Sequence, residues 1–252
     1  RRRARAPPVV TFAAAAQPQR TNSGRTCSSD RGDTAVRRGS SGRQVRYRCY
    51  TATHSVDAGV PTGGTAWALM DEDAIVDAVE AAEASGDDPV LVGLLASALA
   101  LEEPATAVEA VADALLRLGG SGRLGENLGA CEQVRAALAL PCCGEEPSLA
   151  EVLLGCCRVL AKSGANVAKL LANEGAARLV RAMDAHVSSG EPTLQEQGCL
   201  AIEALAVAGG AAARGALRDA GAEAAIEGAR GDIVNERNKT YPDRALTALL
   251  AS

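Results

Sequence analysis

From residue 70 onward, apolar positions recur every three or four residues, the spacing that lines one face of a helix. The clearest stretch, residues 166–174, reads NVAKLLANE, with Val167, Leu170 and Leu171 at helical spacing. Gly175 follows and punctuates it as a helix C-terminal glycine does. A second helix is predicted over 176–186, with Leu179, Val180 and Met183 on one face. Ser188, Ser189 and Gly190 make a polar break, and Pro192 suits the first turn of a third helix. That third helix turns Leu194, Cys199, Ile202 and Leu205 inward and leaves Glu196, Gln197 and Glu203 more outward.

The same three-part order precedes and follows this unit. Gly129-Ala130, Gly175-Ala176 and Gly221-Ala222 are 46 residues apart in both steps. Asn127, Asn173 and Asp219 precede each glycine by two positions, and Val134, Val180 and Ile226 follow it by five. Leu149 and Leu160 align with Leu194 and Leu205 at a spacing of 45, so the register slips by one residue within the unit. The units are predicted at 121–165, 166–211 and 212–252. The first should open with a weak helix ending near Leu128, and the last should close with a helix near 242–251. Upstream, helices are predicted at 73–85, 89–101 and 105–118, with Asp71, Asp73, Asp87 and Asp88 placed to cap them. They make one to one and a half degenerate units. A helical period of this length predicts stacked helices rather than one closed globule.

The segments NVAKLLANEGAARLVRAM and LQEQGCLAIEALA resemble the armadillo repeat, well over 121–252 and vaguely over 70–120. The resemblance implies an all-α, armadillo-like solenoid of three to four repeats spanning 70–252. Its third helices would line a concave groove that binds proteins or extended peptides. The nuclear-import branch of that family reads peptides with a Trp and an Asn four residues later. The matching positions here are Leu200 and Ala204, then Gly155 and Val159, and neither pair keeps the Trp or the Asn. Nuclear-signal binding is therefore not expected.

Charge divides the chain. Residues 1–69 hold 12 Arg, no Lys and three acids, a net charge of +9, whereas residues 70–252 hold 14 basic and 28 acidic side chains. Residues 1–66 are rich in Arg, Ser, Gly and Pro with no sustained period, so disorder is expected there. Three readings stand side by side: a leader ahead of Met70, an organelle transit peptide, or a basic arm. The folded part, rich in Ala and Leu, reads as all-helical. No window approaches 18 consecutive apolar residues, and no membrane span is expected. Eight Cys, two pairs of them adjacent, suit a reducing compartment. The expected localisation is cytoplasmic, or an organelle if 1–66 is a transit peptide.

Few constellations suggest chemistry. Cys131, Cys142, Cys143, Cys156, Cys157, Cys199 and His186 could be drawn as a zinc site, but adjacent Cys lack the spacing of paired zinc thiolates. They are read as core or loop thiols. His186 is placed at a helix end, complementing its negative C-terminus. Gly119-Gly120-Ser121-Gly122 is a helix connection, because no Gly-Lys-Ser/Thr follows it. The groove candidates are Glu109, Asp113, Glu151, Arg158, Glu196, Gln197, Leu200 and Glu203. No catalytic residue, metal or cofactor is expected. The function expected is a non-enzymatic scaffold whose acidic groove takes a basic protein or peptide. A chaperone cofactor of armadillo-like type is one alternative, and a thiol- or metal-dependent protein is another. No small-molecule substrate is expected, nor nucleic acid for the folded part, since its net negative charge repels phosphate.

Overall fold

The computed structural model describes residues 70–122, 124 and 127–251. The expected disordered segment 1–66 lies outside the described residues. Those described hold α1 (Glu72–Ser85), α2 (Asp88–Ala98), α3 (Ala105–Gly120), α4 (Leu128–Ala137), a 3₁₀ segment (Pro141–Gly144), α5 (Pro147–Leu160), α6 (Gly164–Leu171), α7 (Gly175–Asp184), α8 (Pro192–Asp219), α9 (Ala222–Asp232) and α10 (Tyr241–Leu250). There is no strand among them.

Local chemistry explains where these helices start. The side chains of Asp71, Asp87, Asn127 and Ser163 accept backbone N–H bonds from Ala74, Val90, Ala130 and Asn166. Each satisfies one otherwise orphaned donor of a first turn. Proline occupies the first turn of α2, α5, α8 and α10, where its missing N–H costs nothing.

Helices α1, α2 and α3 pack on one another. Beyond them α3, α5, α8 and α10 pack in succession, each against the next. A second succession runs α2, α4, α6, and α7 packs on α9. Leu149, Leu194, Cys199, Ile202 and Leu205 are wholly buried, and Leu160 and Leu179 nearly so, as their spacing predicts. Side chains also bond to carbonyls roughly one unit away. Cys156 Sγ donates to the Ala112 carbonyl, Lys162 Nζ to that of Gly119, and Arg178 to that of Arg135. These partners are 43 or 44 residues apart. Asn127 Nδ2 donates to Asp88 Oδ2 at 3.1 Å, and the Asn127 N–H donates to Asn166 Oδ1 at 3.2 Å, both steps spanning 39 residues.

The three repeat glycines do sit at helix starts, but for different reasons. Gly221 is the N-cap of α9 with φ +89°, a conformation that suits glycine. Gly175 opens α7 instead of closing the helix before it, which corrects the expected C-terminal role. The left-handed residues there are Asn173 (φ 48°) and Glu174 (φ 66°). A Cβ on Gly175 would lie 1.8 Å from the Leu170 carbonyl oxygen, so close approach is what requires glycine. Gly129 is the second residue of α4, and a Cβ there would come no nearer than 3.3 Å to Val92 Cγ1.

Other expectations shift as well. No helix precedes α4 among the described residues of 121–127, where a weak first helix is expected. Gly119 and Gly120 belong to the last turn of α3, and only Ser121 and Gly122 form the turn. A Cβ on Gly119 would meet Val159 Cγ2 at 2.4 Å, which makes this glycine a packing residue. The expected boundary between the second and third units, after residue 211, falls inside α8, just past Gly210 (φ 62°, ψ −151°), where the helical path breaks. By length and composition, α8 is apolar enough to cross a membrane, with mean hydropathy 1.4 over 18 residues. Within the described residues α8 packs on α5 and α10, and its helical path breaks at Gly210.

Candidate functional site

The predicted groove residues lie on α3, α5 and α8, which pack in sequence. All eight except Leu200 are polar, and all eight are half-buried. The structure separates them into two kinds. Some are already neutralised. Arg117 pairs with both Asp113 and Glu83, and the Arg117 bond holds the Glu83 carboxyl below its ordinary range. Glu203 is bonded by Arg244 of α10 at 2.8 Å, and that guanidinium lies 5.5 Å from the Tyr241 ring centroid.

Glu109, Glu151 and Glu196 carry charge that no cation pairs with among the described residues. Glu109 accepts a hydrogen bond from Ser148 Oγ at 3.0 Å, and Glu151 accepts one from Thr193 Oγ1 at 2.8 Å. Burial raises the Glu151 pKa, the Thr193 bond opposes this, and the carboxylates of Glu191, Glu196 and Glu109 add to the rise. Glu109, Glu151 and Glu196 therefore form one mutually repelling group across three helices. Hydroxyl donors fix two of them without cancelling their charge. Sequence reasoning missed Ser148 and Thr193, whose short side chains gave no signal until α5 and α8 were docked.

Beside this group the face is apolar and tight. Gly155 is buried, and a Cβ there would meet Leu116 Cδ2 at 2.9 Å and Gln197 Oε1 at 3.6 Å. A tryptophan side chain at position 155 would have no room. Arg158 Nε and Gln197 Oε1 are buried without a hydrogen-bond partner.

The thiols form a different environment. The six described Cys are free, and five of them are buried. Burial pushes Cys131, Cys143 and Cys199 up to about 12. It raises Cys156 and Cys157 as well. Among the described residues no group of three His, Cys, Asp or Glu is arranged to hold a metal ion. His186 is 4% exposed, and its Nε2 donates to the Cys143 carbonyl at 3.0 Å. His186 follows the C-terminal end of α7, and this bond ties that end to the 3₁₀ segment. A thiol with a pKa near 12 is thiolate in only about one molecule in ten thousand at pH 8. Alkylation of the native protein at that pH, read by peptide mapping, should therefore label Cys142 first among the described thiols. The five buried ones should react only on unfolding. Rapid labelling of Cys157 in the native state would contradict this packing.

No protein-family model, no curated protein and no solved structure matches this chain.

Proposed function

We propose that the helices over 70–252 form a short armadillo-like solenoid of three to four units, and that the protein is a non-enzymatic scaffold. Its partner is a protein carrying a basic, extended segment, which docks on the face built by α3, α5 and α8. The observation that carries this reading is the group Glu109, Glu151 and Glu196, half-buried on three helices packed in succession and paired with no cation among the described residues. A lysine or arginine from a partner would relieve their mutual repulsion. Hydrogen bonds that recur at 39 to 44 residues, and Gly-Ala pairs at three helix starts, support the solenoid part of the reading. The suppressed thiol acidity speaks against the thiol-dependent alternative.

The test is capture of partners by the full chain, followed by titration at two ionic strengths. Glu109→Lys combined with Glu196→Lys should lower partner affinity about tenfold or more and flatten its salt dependence. Both side chains are half-buried on helix faces, so the fold should tolerate the change. Unchanged affinity together with no salt dependence would remove this face from the account.

A further inference from the structure

A second concavity lies between the segment that follows α4 and helix α7. It has a volume of about 710 Å³, which falls in the range occupied by small-molecule sites. One wall is apolar, made by Leu138, Leu140 and Pro141, and the other is α7. Four charged residues border it, and in chain order they run Glu174, Arg178, Arg181, Asp184. Negative ends therefore bracket a positive centre. Arg178 and Arg181 are one helical turn apart and share a face.

The two guanidiniums are prepared differently. Arg178 donates to the Arg135 carbonyl at 3.2 Å, which anchors one edge of its fork and leaves the other. Arg181 is exposed and has no hydrogen-bond or ion-pair partner among the described residues. Asp184, three positions on and within reach for an intrahelical pair, does not take it, and Glu174 is likewise unpaired. A row of charges that do not pair with one another is open to an external ligand.

We propose that this recess binds a phosphomonoester, with the phosphoryl group across Arg178 and Arg181 and the ester body against Leu138, Leu140 and Pro141. Two planar guanidinium forks match one dianionic phosphoryl group in charge and geometry. Glu174 and Asp184 at the two ends repel longer polyanions, which selects a single phosphate over a polyphosphate or nucleic acid. The assignment does not rest on the proposed acidic face, which other helices build. It departs from the sequence expectation of no small-molecule ligand.

The experiment is calorimetric titration of the full chain with phenyl phosphate, benzoate and triphosphate, alongside Arg181→Ala, Arg181→Lys and Arg218→Ala. Phenyl phosphate should bind saturably at one site, and benzoate and triphosphate at least tenfold more weakly. Arg181→Ala should lose about tenfold or more in affinity, and Arg181→Lys should lose less. Arg218→Ala, an exposed arginine of α8 outside the recess, should stay within about twofold. A phosphotyrosine pentapeptide distinguishes the source. Tighter binding than phenyl phosphate assigns the ester to a modified protein, and equal binding assigns it to a small metabolite. Benzoate binding as tightly as phenyl phosphate, an unaffected Arg181→Ala variant with native circular dichroism, or no saturation by about 10 mM would each overturn the proposal.

Discussion

Ile202→Asp should leave a protein that no longer folds cooperatively. Ile202 is wholly buried on α8, which packs on both α5 and α10, and its neighbours in the core are apolar. A carboxylate there has no partner and must either stay charged in an apolar site or be protonated at a cost. The loss should exceed about 4 kcal/mol, a large share of the roughly 5–15 kcal/mol that stabilises a typical domain. Ile202→Val removes one methylene and should cost only about 1 kcal/mol. Denaturant unfolding followed by far-ultraviolet circular dichroism separates the two. An aspartate variant within about 1 kcal/mol of the parent would place Ile202 on a solvated face and rotate α8 by part of a turn.

The second large effect is a graded one, across three residues that look equivalent in the sequence. Gly175→Ala should be severely destabilising, by about 3 kcal/mol or more, because its Cβ would press on the Leu170 carbonyl at 1.8 Å. That oxygen is backbone and has no rotamer by which to yield. Gly221→Ala should cost about 1–2 kcal/mol, the price of a left-handed conformation with open space around it. Gly129→Ala should be near neutral, since alanine favours the helix and its nearest contact is a valine methyl at 3.3 Å. Three equal losses would mean that the glycines share one backbone role, contrary to the structure.

The helices, their caps and their inward residues were legible because each depends on chemistry within about five residues. Asp71 and Asp87 cap as their positions imply, and the buried residues of α8 follow its period. What could not be read depends on backbone conformations that leave no periodic signal, or on how helices dock. The role of Gly175 is set by a carbonyl five residues earlier and by two left-handed residues, Asn173 and Glu174, that no periodicity announces. The expected groove residues fall on α3, α5 and α8, yet Asp113 and Glu203 are taken by Arg117 and Arg244. The Glu203–Arg244 pair joins α8 to α10, a reach that a one-dimensional pattern leaves open, whereas Asp113–Arg117 is an i,i+4 pair on α3 that the spacing itself offers. The recess was invisible for a related reason. On α7 alone, Arg178 and Arg181 look like the solvated side of an amphipathic helix, and only the segment that follows α4 makes a wall opposite them.

The hydrogen bonds that recur at 39 to 44 residues have a kinetic consequence. Each closes a loop of nearly the same length, whichever part of the chain it joins. Closure entropy grows only with the logarithm of loop length, so no single closure is the obligatory slow one. With no bond among these reaching farther than its neighbour's distance, ordering can begin at several places and spread outward from each. The chain should therefore reach its native state by parallel routes, and a lesion that blocks one starting point should leave the others open.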